Sequence, residues 1–230
     1  MEKKYILTDE TIEHFGHTLH RIQAVKDFAD ISAGMFGGYI EREDNLDHAG
    51  AAWVSENARV SGAARVSENA RLSDDAWVSE NARLSGAAWV SENARVSDDA
   101  WVSENARLSG AARVSENARV SENAWLSGAA RVSENARVSG DVWLSGEAWL
   151  SGAARVFGEA DYTIVHGFGR FFRTTTFFRC NDGIVRCQCG CFYGSIEAFR
   201  AKVRETHGNS KYAKEYLMIA DLMELHFKED

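Results

Sequence analysis

Apolar positions along residues 52–159 recur with a period of six, which is neither the 3.6 of a helix nor the two of a plain strand. Eighteen consecutive hexads read Ala-(Arg/Trp)-(Val/Leu)-Ser-x-x, as in Ala58-Arg59-Val60-Ser61-Gly62-Ala63. The third position, the anchor, is Val or Leu in every hexad from Val54 to Val156, and the first is Ala except at Val142. Two apolar positions therefore flank an outward Arg or Trp, the alternation of a short strand. Ser follows the anchor, except at Phe157, and two corner residues complete the hexad. Each corner pair holds Gly, Asn or Asp, the residues expected to take positive φ at a bend. A chain that bends every six residues and stacks on itself is a solenoid. Pro is absent from the chain, so every backbone N–H is able to pair with a neighbouring coil.

This hexad resembles the hexapeptide repeat of left-handed parallel β-helices. The resemblance implies three hexads per triangular coil, a left-handed wind and six regular coils over residues 52–159. At roughly 4.8 Å per coil the rod is about 29 Å tall. Leu46 and Ile40 keep the phase upstream, so a degenerate coil starts near Phe36, and Ala160 and Tyr162 keep it downstream. The expected fold is mainly β: a small N-terminal β cap (1–39), a left-handed β-helix (40–160) and a C-terminal α+β domain (161–230).

Stacking residue n on n+18 sorts the outward residues into three columns. One reads Trp53, Arg71, Trp89, Arg107, Trp125, Trp143; another runs from Arg59 to Trp149, and the third from Arg65 to Arg155. Neighbouring guanidinium and indole groups at this spacing are placed to stack. Trp53, Trp89, Trp125 and Trp143 on one face make a candidate oligomer surface. Hexapeptide β-helix proteins often pack as trimers through such faces, so a homo-oligomer, first of all a trimer, is the state the resemblance implies.

Both ends of an open solenoid need covers. Tyr5-Ile6-Leu7 and 18–22 read as strands around a turn, with His14 and His17 in the turn and exposed to solvent. Downstream, 162–165 and 174–179 read as strands. Asn181-Asp182-Gly183 is a hairpin turn before a strand over 184–192. Helices follow at about 196–206, with Ser195 as N-cap and Gly208 just beyond, and at about 212–227. Cys180, Cys187, Cys189 and Cys191 lack the paired spacing of a zinc site and are expected reduced beneath these helices; no metal and no cofactor is expected.

Charge narrows the function further. The chain carries a net charge of −8, and the hexads hold eleven Arg, no Lys and fifteen acids, a mixed surface unsuited to duplex nucleic acid. No apolar run is long enough for a membrane span, and the first residues lack a signal-peptide core, so the expected location is cytoplasmic. No His lies between His48 and His166. An acyltransferase of the hexapeptide class needs a His base beside the coils, so that enzyme reading is disfavoured.

The stretch Gly190-Cys191-Phe192-Tyr193-Gly194, then Thr206-His207-Gly208 and Lys211-Tyr212-Ala213-Lys214-Glu215-Tyr216, resembles the tail of prophage and gut-bacterial proteins that also carry hexapeptide-type repeats. That resemblance implies a phage-encoded product, located in the host cytoplasm, and brings no catalytic residues with it. The one segment with site chemistry is 166–179. It holds three Arg, several Thr, Gly and Phe, and no acid, with Arg186 across the turn. His166, Arg170, Arg173, Thr175, Arg179 and Arg186 form the candidate ligand set, suited to a small phosphate-bearing, nucleotide-like ligand. The leading expectation is a non-catalytic, oligomeric binding solenoid that sequesters such a ligand. The alternatives are a structural module docking through its C-terminal helices, and an enzyme using His166 or His207.

Overall fold

A computed structural model describes residues 2–228; Met1, Glu229 and Asp230, at the outer ends of the two expected caps, lie outside the described residues. The hexads form a three-sided parallel β-solenoid. Each hexad supplies a two-residue strand of outward residue plus anchor, such as Arg95–Val96. Each strand pairs in parallel with the one 18 residues on, as in Trp77↔Arg95↔Arg113 and Trp89↔Arg107↔Trp125. Every anchor and every inward Ala is buried, in one continuous core. The coil does continue upstream, giving about seven turns in all, but two residues out of the expected phase: Tyr39 pairs with Arg59, Ile40 with Val60 and Leu46 with Val66, so Ile40 and Leu46 fill anchor positions, not the inward Ala positions the sequence count assigned them.

The corners differ from expectation in one respect. Positive φ falls on the first corner residue alone, so in the Glu-Asn corners it is Glu that adopts it, for example Glu68 at 59° and Glu92 at 59°. The N–H of the residue after the corner donates back to Ser, as Ala94 does to Ser91 O at 3.2 Å. Only the first central residue of such a turn needs positive φ, the type II′ pattern, so position in the turn outranks residue preference. The Glu carboxylate gives partial compensation. Glu56 Oε2 accepts from Asp74 N at 2.8 Å, and Glu68 Oε2 from Gly86 N at 2.6 Å, one coil further on. These bonds satisfy corner N–H groups that the parallel ladder leaves unpaired.

The N-terminal segment is an extension of one solenoid face. Strands β1 (Tyr5–His14), β2 (His17–Ala24) and β3 (Phe36–Ile40) pair antiparallel in that order, and β3 then pairs in parallel with Arg59–Val60. Tyr5 plugs the open end, its hydroxyl donating to Glu43 O and Leu46 O at 2.8 Å each. Lys4 is buried beside it and donates to Ala52 O at 2.8 Å; burial lowers its pKa to about 8. The β1–β2 tip folds along the rod, where Phe15 stacks on Trp77 at 4.8 Å. His14 is therefore not solvated. It packs edge-on against Trp77, and burial first, then Arg59 and Arg95, lowers its pKa.

Trp53 departs from the expected oligomer face: it is 1% exposed, packed against Tyr5 and Phe28. Elsewhere each outward indole N–H donates to the Ser 16 residues earlier, as Trp77 does to Ser61 and Trp149 to Ser133. Trp53 lies beside the upstream coil, which is out of the 18-residue register, and its Nε1 has no partner among the described residues. A Cβ on Gly37 would lie 2.7 Å from the indole, so the missing side chain is what admits the ring. Stacking also differs from the column order. Arg95 covers Trp77, Arg119 covers Trp101 and Arg131 covers Trp149, all at 5.4–5.7 Å and all outside the Trp53 column. In that column Arg71 is drawn off to Asp30, and Trp125 stacks on Trp143 at 5.1 Å.

The C-terminal cover is a four-stranded antiparallel sheet of Tyr162–Phe168, Arg173–Arg179, Val185–Cys189 and Phe192–Ser195, in chain order. The single strand expected over 184–192 is two strands, because Gly190 and Cys191 turn the chain. Helices α1 (Ile196–His207) and α2 (Lys211–His226) pack on its far side. Ser195 and Ser210 cap them, accepting from Ala198 N and Ala213 N. All four cysteines are free; Cys187 lies buried among the helix-facing residues, whereas Cys191 is exposed in the turn. Among the described residues no helix is long and apolar enough to cross a membrane.

Candidate functional site

The strand Arg173–Arg179 works as a partition, because successive side chains face opposite sides of the sheet. Phe178 and Thr176 face the rod: Phe178 enters the solenoid core, and Thr176 Oγ1 accepts from Trp149 N at 3.0 Å. Phe177 enters the separate core made with α1 and α2. Arg173, at the start of this strand, lines two cavities.

The first is a crevice of about 190 Å³ between the 168–173 hairpin, the Cys189–Phe192 turn and α1. Arg170, Arg173 and Lys202 supply cations, and Phe171, Phe192 and Tyr216 supply rings. Among the described residues no carboxylate lines it. At the hairpin Glu215 accepts from Gly169 N at 3.1 Å and is paired with Lys211 at 3.5 Å. Among the described residues Arg170 and Arg173 have no carboxylate partner, and both guanidinium groups lie over the Phe171 ring, at 5.5 and 5.0 Å. Gly169 has φ +74°, and any Cβ there would run into the Tyr216 hydroxyl, so both the turn and the close approach require glycine. Burial, followed by the Cys189 thiol, pushes the Tyr216 hydroxyl up to about 12, which keeps it a neutral donor.

The second cavity, about 260 Å³, lies where the cap meets the rod. Arg131, Glu147, Trp149, Arg173, Thr174, Thr176 and Gln188 are its polar and aromatic lining. At its edge Thr174 Oγ1 donates to Glu147 Oε2 at 2.9 Å, and His166 Nδ1 lies 2.9 Å from the same hydroxyl. With the hydroxyl proton committed to Glu147, His166 Nδ1 acts as the donor. The trio holds an imidazole in place and does not make Thr174 a nucleophile.

The six residues singled out from the sequence are therefore split. Arg170 and Arg173 share the crevice, and His166 stands at the junction. Thr175 is buried inside the cap, out of reach of a ligand. Arg179 sits at the far end of its strand, near Asp161 at 3.7 Å and donating to Phe227 O at 3.0 Å. Arg186 is clamped by Asp182 through bonds of 2.8 and 2.6 Å; that contact, more than any other, holds the Asp182 carboxyl down at about 2. Both of these Arg side chains tie the cap together. Sequence reasoning missed Lys202, Phe192 and Tyr216 as site residues. The signal was present in part, since Phe199, Lys202, Val203 and Thr206 follow helical spacing onto one side of α1. Among the described residues no group of His, Cys, Asp or Glu is arranged to hold a metal ion.

Residues 112–128 and 130–146 match the YdcK beta solenoid repeat family. The likeness lies wholly in the rod and says nothing of the cap that carries the cavities. No curated protein matches the chain.

Proposed function

We propose that the chain is a non-catalytic β-solenoid whose C-terminal cap holds a small anionic molecule bearing a planar ring, of the nucleotide class. The observation that carries this reading is the convergence of Arg170, Arg173 and Lys202 with Phe171, Phe192 and Tyr216 in a crevice that no acid lines among the described residues. Guanidinium groups fork onto phosphate oxygens, and the rings offer stacking faces. Cys189, Cys191 and His207 also line the crevice, but among the described residues no hydrogen bond joins either thiol to the imidazole, which favours a ligand that is held over one that is turned over. Calorimetric titration of adenosine monophosphate into the wild type and into an Arg170→Ala/Arg173→Ala variant tests the reading. The expected result is binding weakened at least about tenfold in the variant, a loss of about 1.4 kcal/mol or more. Absence of heat with the wild type sinks it.

A second reading, assembly into a homo-oligomer with a trimer as the first expectation, is favoured by the exposed face. Trp89, Trp125 and Trp143 are 49%, 39% and 57% exposed in one column. Isolated apolar residues need no explanation, but Trp125 stacked on Trp143, with Trp89 beyond Arg107 in the same column, makes a face suited to contact. Sedimentation of a Trp89→Gln/Trp125→Gln/Trp143→Gln variant is expected to give a monomer where the wild type gives an oligomer. An unchanged mass would move the interface elsewhere.

A further inference from the structure

We infer that the crevice and the junction cavity form one extended site, built for an anionic molecule with two planar rings joined through phosphate, the dinucleotide class. This rests on the crevice reading above and extends it. Arg173 lines both cavities. Its side chain passes over the turn at Gly190, where Nη1 would lie 2.8 Å from an added Cβ. A phosphate linker at Arg173 leaves one ring on each side.

Each cavity by itself is smaller than the roughly 300 Å³ at which small-molecule sites begin, and only the two together reach it. Each also offers an aromatic wall. In the crevice these are Phe171, Phe192 and Tyr216. At the junction the wall is Trp149, whose indole carries Arg131 at 5.4 Å on the side of the preceding coil. The column ends at Trp149, since the position 18 residues on is Gly167, in the cap. The indole therefore has no further solenoid residue stacked beyond it and stands as a lining of the cavity. Among the described residues Glu147 is the one acid lining the junction cavity and repels a phosphate there, which places the linker at Arg173 and the ring at Trp149. The same carboxylate is an acceptor for the amino group of a nucleobase, with Thr174 fixing its orientation.

Calorimetry with two probes, adenosine monophosphate and two adenosines joined by one phosphodiester, tests the inference on the full chain. The dinucleotide is expected to bind the wild type about tenfold more tightly than the mononucleotide. Trp149→Ala and, separately, Arg131→Ala are expected to erase that advantage and leave mononucleotide binding unchanged. The Arg131 variant covers the case in which loss of Trp149 disturbs the last coil. Equal affinity of both probes for the wild type, or an advantage that survives both junction variants, overturns the extended site while the crevice reading stands. If neither probe binds the wild type, both fall together.

Discussion

Replacing Val114 with Asp is expected to abolish the cooperative folded state of the rod. Val114 has no solvent exposure and sits in register between Val96 and Val132 in the sealed core. Nothing polar faces it there, because the inward positions of the rod are Ala, Val and Leu. A carboxylate at that place is unpaired, and the effective penalty for such burial is several kcal/mol even after the group protonates. A domain of ordinary stability has only about 5–15 kcal/mol in hand. In a solenoid each coil is held by its neighbours alone, so a break in the middle separates the rod into two short stacks. Val114→Ala is the matched control. It removes two methyl groups and is expected to cost about 2 kcal/mol, enough to lower the melting temperature but not to unfold the chain. Thermal melts followed by circular dichroism distinguish the two. Wild-type melting of the Asp variant would mean that the anchors do not face inward.

Gly38→Ala is expected to detach the N-terminal cover. The added Cβ would sit 2.5 Å from Ala58 O, 2.9 Å from Val54 Cγ1 and 3.1 Å from Ser55 O. Ala58 O is the acceptor of the Tyr39 N–H at 2.9 Å, the bond that starts the parallel pairing of β3 with the rod. Two of the three obstacles are backbone, so relief requires the first coils to move apart. Overpacking of this kind costs about 1–3 kcal/mol, and the loss falls on one local junction. Release of the hairpin uncovers Trp53, Tyr5 and the first inward residues. The expected signs are faster proteolysis before Ala52 and a red shift in tryptophan emission, with the C-terminal cap intact. Gly158→Ala is the silent control, since no atom lies within 4 Å of its Cβ and its backbone is extended. Equal protease resistance of the two variants would refute the close-approach account of Gly38.

The rod was legible because its information is local and repeated. A six-residue period with apolar first and third positions has one economical solution, and the n+18 columns follow from it. The cap of the first helix was legible for a similar reason, since Ser195 acts on an N–H three residues away; Ser210 does the same for the second helix but was not singled out. The fate of Trp53 was not legible. Its hexad is like the others, and it is buried because Gly37 leaves room for the ring and because the N-terminal segment, with Tyr5 and Phe28, folds over it. Glu at positive φ was also outside the reach of residue preferences, for the turn sets which residue bends. The candidate site was half legible. Arg170 and Arg173 stood out as cations in an acid-free segment. Arg179 and Arg186 shared that signal but are spent on Phe227 O and Asp182, contacts made across the fold.

By itself, then, the order of residues determined the repeating coil, its buried Ala and Val or Leu, and the places where strands and helices begin. Each of those depends on neighbours within one hexad, one turn or one coil. The tertiary structure alone decided which tryptophans stay outside, which arginines remain unpaired, and that Arg173 reaches two cavities at once. Those outcomes depend on how the two end pieces dock on the rod, and docking brings together residues whose separation along the chain carries no periodic signal.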